Sequence, residues 1–336
     1  MKMCRVERKI AMKKTVFTYL TTAIVAWVIV VPAIVVAQDK YPSKAITIVV
    51  PYPPGGSNDS FARAVGKRLG EALRQSVIID NRPGAGGSIG TAIVAKAPND
   101  GYTLAAVSSS FATNAAIQPK LPFDAINSFA PVALMANGPF VVAVRKDLPV
   151  KTMADLVALA KSQAGKLNYA SSGPGSINQF ATELLKSAAK IDMTHVPYKG
   201  MSPATMDLMG GHVDVLVASG PSLLPSVRAG KVHGLGITSL ATSAVAPDLA
   251  PVANTVPGYS FSLWWGLLAP AGTPPAVVNR LNAEVNKILA TAEMQEFFLR
   301  EGAEPAIVSP AQFSTLIVND IQRFQQIAKQ ASIVGE

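Results

Sequence analysis

A proline- and glycine-rich turn at residues 51–56, with the sequence PYPPGG, has the residue types that could hold a small anion. Its last two residues, Gly55 and Gly56, lack a Cβ, so a ligand could closely approach their backbone N–H groups. An apolar run at residues 45–51 predicts a strand before the turn, and an amphipathic pattern predicts a helix after it. The positive end of that helix dipole would add to the attraction for an anion. The same residues are also typical of a tight turn without a ligand.

Two polar side chains follow this turn. Asn58 or Asp59 is suited to cap the helix, which we expect to begin at Ser60. Asp59 could instead accept a hydrogen bond from an amine, amide or hydroxyl group of a ligand. Both alternatives remain open from the sequence.

Similar turns recur along the chain, each at the end of a predicted strand. They are NRPGAGGSIG at residues 81–90, SSS at 108–110, SGPGS at 172–176 and YKGMSP at 198–203. Neutral loops of this kind can direct several N–H donors at one anion, and such charge-assisted hydrogen bonds are strong. This is the chemistry of a binding site that needs no catalytic group.

The second of these turns does not fit a dinucleotide-binding loop. Gly84, Gly86 and Gly90 have the spacing G-x-G-x-x-x-G, which puts Ile89 where the third glycine of the fingerprint should be. The turn also follows the second predicted strand rather than the first. We therefore expect no nucleotide cofactor.

Few residues could support catalysis or bind a metal ion. The chain has a single cysteine, Cys4, and three histidines, His195, His212 and His233, without metal-ligand spacing. A general base is also hard to place among so few histidines. We expect no enzyme activity, no metal and no cofactor, with a serine hydrolase as the competing class.

Residues 1–37 have the composition of a secretory signal peptide. Basic residues precede an uncharged apolar run at residues 16–37, and Val-x-Ala at residues 35–37 suits cleavage after Ala37. An uncleaved membrane anchor is the alternative, because the apolar run is long, and Met12 could be the true start. The predicted destination of the exported protein is the periplasm.

Most of the positive charge belongs to this leader. The formal net charge is +9, and removal of residues 1–37, with six Lys or Arg and one Glu, leaves +4. No basic run of the kind that binds polyanions remains, so we expect no nucleic-acid partner.

The predicted elements are those of an α/β protein with two lobes. At 336 residues, with 49% apolar and 15% charged residues, the chain can form two compact domains. Strands alternate with helices from residue 45, which favours mostly parallel sheets flanked by helices. Two β-rich runs, at residues 131–146 with a break near 137–139 and at residues 262–269, are suited to cross between the lobes.

These crossings predict a clamshell. After the signal peptide, lobe 1 comprises residues 38–139 and 262–336, and lobe 2 comprises residues 140–261. Ligands of open α/β sheets bind at the carboxyl ends of strands, so the expected site is the cleft between the lobes. We expect the protein to be monomeric.

The cations and tryptophans near the cleft have structural interpretations. Arg82 and Lys199 are the only cations inside the turns, and we expect Arg82 to brace its own turn. Trp264 and Trp265 lie on the second crossing strand, where we expect them to pack at the hinge rather than contact a ligand.

Six motifs, in order along the chain, resemble the periplasmic solute receptors of tripartite tricarboxylate transporters, the Bug or TctC family. They are PPGGSND at residues 53–59, NRPGAGG at 81–87, DGYTL at 100–104, SSGPGS at 171–176, VPYKG at 196–200 and LAPAGTP at 268–274. One such motif is weak, but six in register are specific, and they cover nearly all of residues 38–336.

The resemblance implies a type II-like periplasmic-binding-protein fold, or Venus flytrap, that captures a small organic carboxylate and passes it to membrane permease subunits. In this family, backbone amides, small hydroxyl side chains and ordered water hold the carboxylate. Carried over position by position, the implied ligand-binding residues of lobe 1 are Tyr52, Pro53, Pro54, Gly55, Gly56, Asp59, Ala85, Gly86, Ser108 and Ser109. Those of lobe 2 are Ser172, Gly175, Ser176, Asn178, Gly200, Met201, Pro203 and Ala204.

Two positions depart from the family pattern. Gln179 stands where members often have His, and Ala218 lies where an acidic residue is frequent. These departures leave the ligand open among mono-, di- and tricarboxylates, amino acids and aromatic acids. The same clamshell could also serve as a periplasmic sensor that reports ligand to a membrane kinase, and the sequence does not separate sensing from uptake.

Overall fold

The structure is a computed structural model, and it describes residues 41–334. The predicted signal peptide and its cleavage position lie outside the described residues. Within residues 41–334, no helix combines the length and apolar character needed to cross a membrane. The described chain forms two connected β-sheets with helices packed on them.

The first sheet begins with an alternation of strands and helices. Its elements are β1 (Ile46–Val50), α1 (Ser57–Leu73), β2 (Val77–Asn81), α2 (Ser88–Ala95), β3 (Thr103–Ser108) and α3 (Ser110–Ile117). Strand β1 pairs in parallel with both β2 and β3. Ile46, Ile48 and Val50 of β1 are fully buried, because helices on both faces cover a central parallel strand. The β-branched run in the sequence therefore became the middle of the sheet.

Strand β4 (Phe129–Arg145) is 17 residues long and belongs to both sheets. The second sheet starts at Phe140, where β4 changes its pairing partners. The elements that follow are α4 (Met153–Ser162), β5 (Asn168–Ser171), α5 (Ile177–Ala189), β6 (Thr194–Pro197), α6 (Met201–Gly210), β7 (Val215–Ser219), α7 (Gly220–Arg228) and β8 (Val232–Ile237). Strand β5 is parallel to β6 and β7, whereas β4 is antiparallel to β7 and β8.

The chain then returns to the first sheet. The Phe261 N–H donates to the carbonyl of Thr238, 2.9 Å away, and the strand that follows lies between β3 and β4, antiparallel to both. The returning elements are β9 (Ser262–Pro270), α8 (Pro275–Leu289), α9 (Ala292–Arg300), β10 (Glu304–Pro305) and α10 (Pro310–Ala331). The chain thus passes between the sheets in β4 and again just before β9.

Helix α10 packs on elements of both sheets. Phe313 lies edge-on to Trp264 of β9, with 5.3 Å between ring centroids, and Phe324 lies 5.3 Å from Phe180 of α5. The Trp264 indole also donates to Asp320 of α10 at 2.7 Å. Trp264 and Trp265 are each 1% exposed, so these tryptophans are core residues at the return crossing, as expected.

The strand directions bring two sets of carboxyl ends to one place. In the first sheet β4 runs parallel to β1 and β3, because β9 is antiparallel to both of its neighbours. In the second sheet β5, β6 and β7 run against β4. Ser108, the last residue of β3, lies opposite Trp265 of β9, and Trp265 in turn lies opposite Ala136 of β4. Ser219, the last residue of β7, lies opposite Phe140 of β4, only four residues further along the same strand. The turns after these strands therefore meet across the middle of β4.

Helix caps divide nine of the ten described α-helices into two groups; the tenth, α8, begins away from the junction after Pro274 and has no side-chain cap. The six helices that begin at this junction have no side-chain hydrogen bond at the N-cap, which is Gly56, Gly87, Ser109, Ser176, Gly200 or Ser219. Helices α4, α9 and α10 begin elsewhere, and Thr152, Thr291 and Ser309 cap them with their side chains. The first N–H groups of an α-helix have no intrahelical partner. Such groups at the junction are thus left without side-chain caps.

The structure corrects two local expectations. Helix α1 begins at Ser57 rather than Ser60, because Gly56 is extended and its carbonyl already accepts from the Ser60 N–H at 2.9 Å. Strand β4 continues through Gly138 and Pro139 without a break. Pro139 is tolerated because it pairs at the last position before β4 changes partners, where a missing N–H costs little. Helix α3, directly after the SSS turn, was not predicted.

The cap difference predicts different costs for two serine substitutions. Ser309→Ala should destabilise the protein by about 1 kcal/mol, because it removes a reciprocal cap with Gln312. Ser176→Ala should cost less than about 0.5 kcal/mol in the ligand-free protein, because the buried Ser176 hydroxyl has no partner to lose. Urea unfolding followed by circular dichroism measures both values. Equal costs would contradict the assignment of an unbonded cap at Ser176.

Candidate ligand-binding site

Asp59 fastens the first turn to the end of β2. It is 4% exposed, and its carboxylate accepts from the Gly55 N–H at 3.0 Å and from the Asn81 amide at 2.9 Å. Arg63, one helical turn later, forms a salt bridge with it at 2.9 Å. Burial opposes ionisation of Asp59, but the hydrogen bonds from Arg63, Gly55 and Asn81 outweigh it and keep the carboxyl pKa below its usual range. The Asp59 side chain therefore shapes the turn with its own oxygens and does not cap the helix.

The glycines of the turns on both sides of the junction face open space. A Cβ built on Gly55, Gly56 or Gly200 would meet no other atom within 4 Å. Gly55 and Gly200 have φ values of +88° and +111°, which side-chain-bearing residues rarely adopt. Gly56 has φ −83°, so a larger residue would fit its backbone without strain. The backbone at these three positions is accessible to a ligand.

The second turn is packed against two side chains of the first half. Asn114 of α3 donates its amide to the Gly86 carbonyl at 2.7 Å, and the Tyr52 ring lies 3.2 Å from a Cβ built on Gly87. Ala85 and Gly86 remain exposed. Burial raises the pKa of the Tyr52 phenol, although hydrogen bonds with Ser108 and Ser110 oppose the shift. Tyr52 thus links the first turn, the second turn and the end of β3.

The two predicted serines at the end of β3 are buried, Ser108 at 3% and Ser109 at 0% exposure. The Ser109 hydroxyl accepts from the Trp264 N–H at 2.8 Å, and the Ser109 N–H donates to the Trp264 carbonyl at 3.0 Å. Ser109 therefore uses its side chain to hold β9 at the crossing. Ala204 on the opposite side is also fully buried.

In the second half, polar contacts fix the turn after β5. Ser172 donates to the Asn178 amide oxygen at 3.0 Å, and the Asn178 nitrogen donates to the Val217 carbonyl at 2.9 Å. Gly175 donates its N–H to the Gln179 amide oxygen at 2.7 Å. Met201 and Pro203 lie partly exposed in the first turn of α6, beside Gly200.

The two halves touch at these turns. A Cβ built on Gly175 would lie 2.4 Å from Cδ1 of Ile117, at the end of α3. Because only a glycine allows this approach, the turn after β5 reaches the first half of the protein through Gly175. The predicted residues of both lobes are thereby grouped around one junction, except that the side chains of Ser109 and Ala204 point into the core.

Several residues that shape the junction were missed as site residues by sequence reasoning. The buried amide oxygen of Asn58 and the buried hydroxyl of Ser176 have no hydrogen-bond partner in the described structure. Asn81 and Asn114 hold the two turns of the first half. Gln179 was noted only as a departure from the family pattern. The sequence signal that could have identified these residues is an Asn or Gln at the start of a predicted helix or next to a glycine turn.

The charges and functional groups near the junction do not support catalysis. Ser171 and His195 lie 2.7 Å apart, but Ser171 is fully buried and its hydroxyl donates to the Gly173 carbonyl. Arg82 is paired with Asp80 at 2.9 Å, as expected for a residue that braces its own turn, and Lys199 is exposed. Among residues 41–334, no group of three or more His, Cys, Asp or Glu side chains could hold a metal ion.

A surface cavity of about 610 Å³ lies beside the end of α3, at Ala115. Its lining comes mainly from residues 118–126, together with Ile321 and Gln325 of α10. It lacks the converging helix N-termini found at the junction, so the junction is the better candidate for an anion.

Comparison with known proteins identifies the family. Residues 61–333 match the family described as "Tripartite tricarboxylate transporter family receptor", TctC. BugT of Bordetella pertussis is 35% identical over 300 residues, which cover 88% of this chain and 91% of BugT.

Two solved structures are similar over most of the chain. R. palustris Rpa4515 with adipate has a TM-score of 0.78 and 34% identity, and the match covers 88% of this chain and 99% of that one. MatC from Rhodopseudomonas palustris with bound malate has a TM-score of 0.73 and 31% identity, over 85% of this chain and 99% of that one. The chain therefore belongs to the TctC family of tripartite tricarboxylate transporter receptors, which are periplasmic solute-binding proteins with a two-lobe α/β fold and are not enzymes.

Proposed function

We propose that this protein binds a small organic carboxylate in the cleft between its two halves and delivers it to membrane permease subunits of a tripartite tricarboxylate transporter. The observation that carries the proposal is the group of six helix N-termini without side-chain caps at the junction. Helix N-termini attract anions through their free N–H groups and the helix dipole. A carboxylate can satisfy donors that the protein leaves unpaired.

The ligand contacts that we propose come from both halves. In the first half they are the backbone of Tyr52 to Gly56 and of Ala85 and Gly86, with Asp59 and Ser108 behind them. In the second half they are Ser172, Ser176, Asn178, Gly200, Met201 and Pro203. The unpartnered Ser176 hydroxyl can donate a hydrogen bond and supports a carboxylate at this place, because buried polar groups are normally hydrogen-bonded.

Hydrogen bonds from neutral groups are sufficient for this task. Each charge-assisted hydrogen bond contributes roughly 1.5 to 3 kcal/mol, and a micromolar affinity corresponds to about 8 kcal/mol. Several such bonds, together with exclusion of water by closure, reach that range after the cost of ordering the ligand. The adipate and malate named with Rpa4515 and MatC are small dicarboxylates, which makes dicarboxylates the first class to test.

The proposed location of the mature protein is the periplasm. The predicted signal peptide, the small positive charge of residues 38–336 and the family membership support export. We propose that the protein acts there as a monomer and meets its permease at the membrane.

Isothermal titration calorimetry with adipate and malate tests the ligand class. We expect at least one of the two acids to bind with a micromolar dissociation constant. Gly56→Val should weaken that binding roughly 10- to 100-fold, because the side chain fills the open space beside the N–H groups. Its thermal unfolding should change little, since φ −83° suits valine.

Ala311→Val, on the exposed side of α10, is the matched control and should leave the affinity unchanged. Unchanged affinity in Gly56→Val would remove the first turn from the site. If neither these acids nor a wider panel of carboxylates bound, the proposed ligand class would be wrong.

Uptake measurements test delivery to a permease. Deleting the gene should abolish import of the radiolabelled acid that binds in calorimetry, and the wild-type gene should restore import. The Gly56→Val variant should restore little of it. Normal import in the deletion strain, with loss of transcriptional induction by the acid, would instead identify a sensor.

A further inference from the structure

A chain of hydrogen bonds connects the turn after β5 to a histidine on β6. The Gly175 N–H donates to the Gln179 amide oxygen at 2.7 Å, and the Gln179 amide nitrogen lies 3.4 Å from Nδ1 of His195. Nε2 of His195 lies 2.7 Å from the hydroxyl of Ser171, which donates to the carbonyl of Gly173 at 3.0 Å. The histidine therefore contacts both ends of the turn through one intermediate side chain each.

The network selects one protonation state of the histidine. Because the Gln179 oxygen accepts from the Gly175 N–H, the Gln179 amide nitrogen faces Nδ1 of His195, which must then carry no hydrogen. In the neutral ring the hydrogen is on Nε2 and is donated to the Ser171 hydroxyl, which also accepts from the Gly173 N–H at 3.1 Å and donates to the Gly173 carbonyl. All these contacts are satisfied only when His195 is neutral.

Protonation would break this arrangement. A hydrogen on Nδ1 would face the amide hydrogens of Gln179, which are also donors. If the Gln179 amide turned over, Nδ1–H would gain an acceptor, but the amide nitrogen would then face the Gly175 N–H. In either orientation of the Gln179 amide, two hydrogen-bond donors face each other. A charged His195 is therefore incompatible with the observed hydrogen bond from the Gly175 N–H to the Gln179 oxygen.

The charged groups around His195 set the pH range. The ring stacks on Tyr169 of β5, with 4.9 Å between centroids, and the Tyr169 hydroxyl donates to Glu183 of α5 at 2.6 Å. Glu183 is paired with Lys186 at 3.0 Å, and Lys186 lies 3.7 Å from Asp192.

Burial lowers the pKa of His195 below 6.5; Glu183 raises it in part, and Lys186 adds to the lowering. The neutral form is thus present above pH 6.5 and is lost as the pH falls through the lowered pKa.

Gly175, which Gln179 holds in place, lies at the contact between the two halves. Gly175 approaches Ile117 of α3 so closely that a Cβ there would lie 2.4 Å from Cδ1. A change in how Gln179 holds Gly175 would therefore move both the second-half turn and the closure contact. No ligand-facing charge is needed for this effect.

We propose that Gln179 and His195 are positioning residues that hold the Gly175 turn for ligand binding, and that protonation of His195 releases this turn and weakens binding in acid. The inference rests on the proposed function for its effect on affinity. Its effect on the turn itself is independent of any ligand, so the two can be tested separately.

Nuclear magnetic resonance without ligand tests the turn. The ring nitrogen shifts of His195 at pH 7.5 should report the neutral Nε2–H tautomer, and the Gly175 amide resonance should change with the same midpoint as His195 during a titration to pH 5.0. A neutral Nδ1–H tautomer, or a Gly175 resonance that does not follow His195, would overturn the proposal. This arm remains decisive even if no organic acid binds.

Calorimetry with adipate, or with malate if adipate does not bind, tests the effect on affinity. In the wild-type protein the affinity should fall as the pH is lowered from 7.5, with the midpoint that the magnetic resonance titration gives for His195, since a site that needs a neutral group loses up to tenfold per pH unit below its pKa. The second carboxyl group of a dicarboxylic acid is partly protonated at pH 5.5, so the wild-type and variant proteins are compared with the same acid, and the difference between them reports on His195.

Gln179→Glu should reduce this pH dependence. The introduced carboxylate can accept from the Gly175 N–H and from a protonated His195 at the same time, so the affinity at pH 7.5 divided by that at pH 5.5 should be smaller than in the wild type. The measured quantity is the ratio of the affinities at pH 7.5 and pH 5.5 rather than the affinity itself, because the added negative charge of the Gln179→Glu variant can lower the affinity at every pH. His195→Gln should likewise reduce the dependence.

His233→Gln, on β8, is the matched control and should keep the wild-type ratio. A wild-type affinity that does not fall as His195 becomes protonated, or a ratio in Gln179→Glu equal to that of the wild type, would overturn the proposed link between His195 and ligand binding.

Discussion

The N–H groups at the start of six helices have no side-chain caps at the junction, and much of the binding region follows from this. A protein normally satisfies such donors with its own side chains, as this one does at Thr152, Thr291 and Ser309. Donors left free at one place favour an anion there, because the helix dipoles add to the hydrogen bonds. In the proposed function, neutral groups of the protein therefore recognise the charge of the ligand.

Strand β4 is what brings those helix ends together. A single strand that belongs to two sheets forces the strands of the second sheet to run back toward the first, so both sets of carboxyl ends meet near Phe140. Helix α10 supports this arrangement, because Phe313 packs on the return crossing and Phe324 packs on Phe180 of the second half.

Side chains near the cleft mainly hold the backbone in position. The Asp59 carboxylate accepts hydrogen bonds from Gly55 and Asn81 and forms a salt bridge with Arg63. The Ser109 hydroxyl accepts from the Trp264 N–H. Gln179 holds Gly175 in the same way from the second half. Because these polar groups bond to the protein, they act on a ligand through the turns they fix. Changes of side chain behind a turn can therefore alter binding without removing a direct contact.

The sequence by itself determined the alternation of strands and helices, the glycine turns between them and the family resemblance, because these depend on local patterns of apolar, β-branched and glycine residues. It also indicated the long strand at residues 131–146, although its continuation through Pro139 depended on a change of pairing partner. Only the tertiary structure decided that Ser109 points into the core, that Gly175 meets Ile117 and that Gln179 reaches His195. Such contacts join residues far apart in the chain, and local patterns carry no information about which distant partner a polar side chain will find.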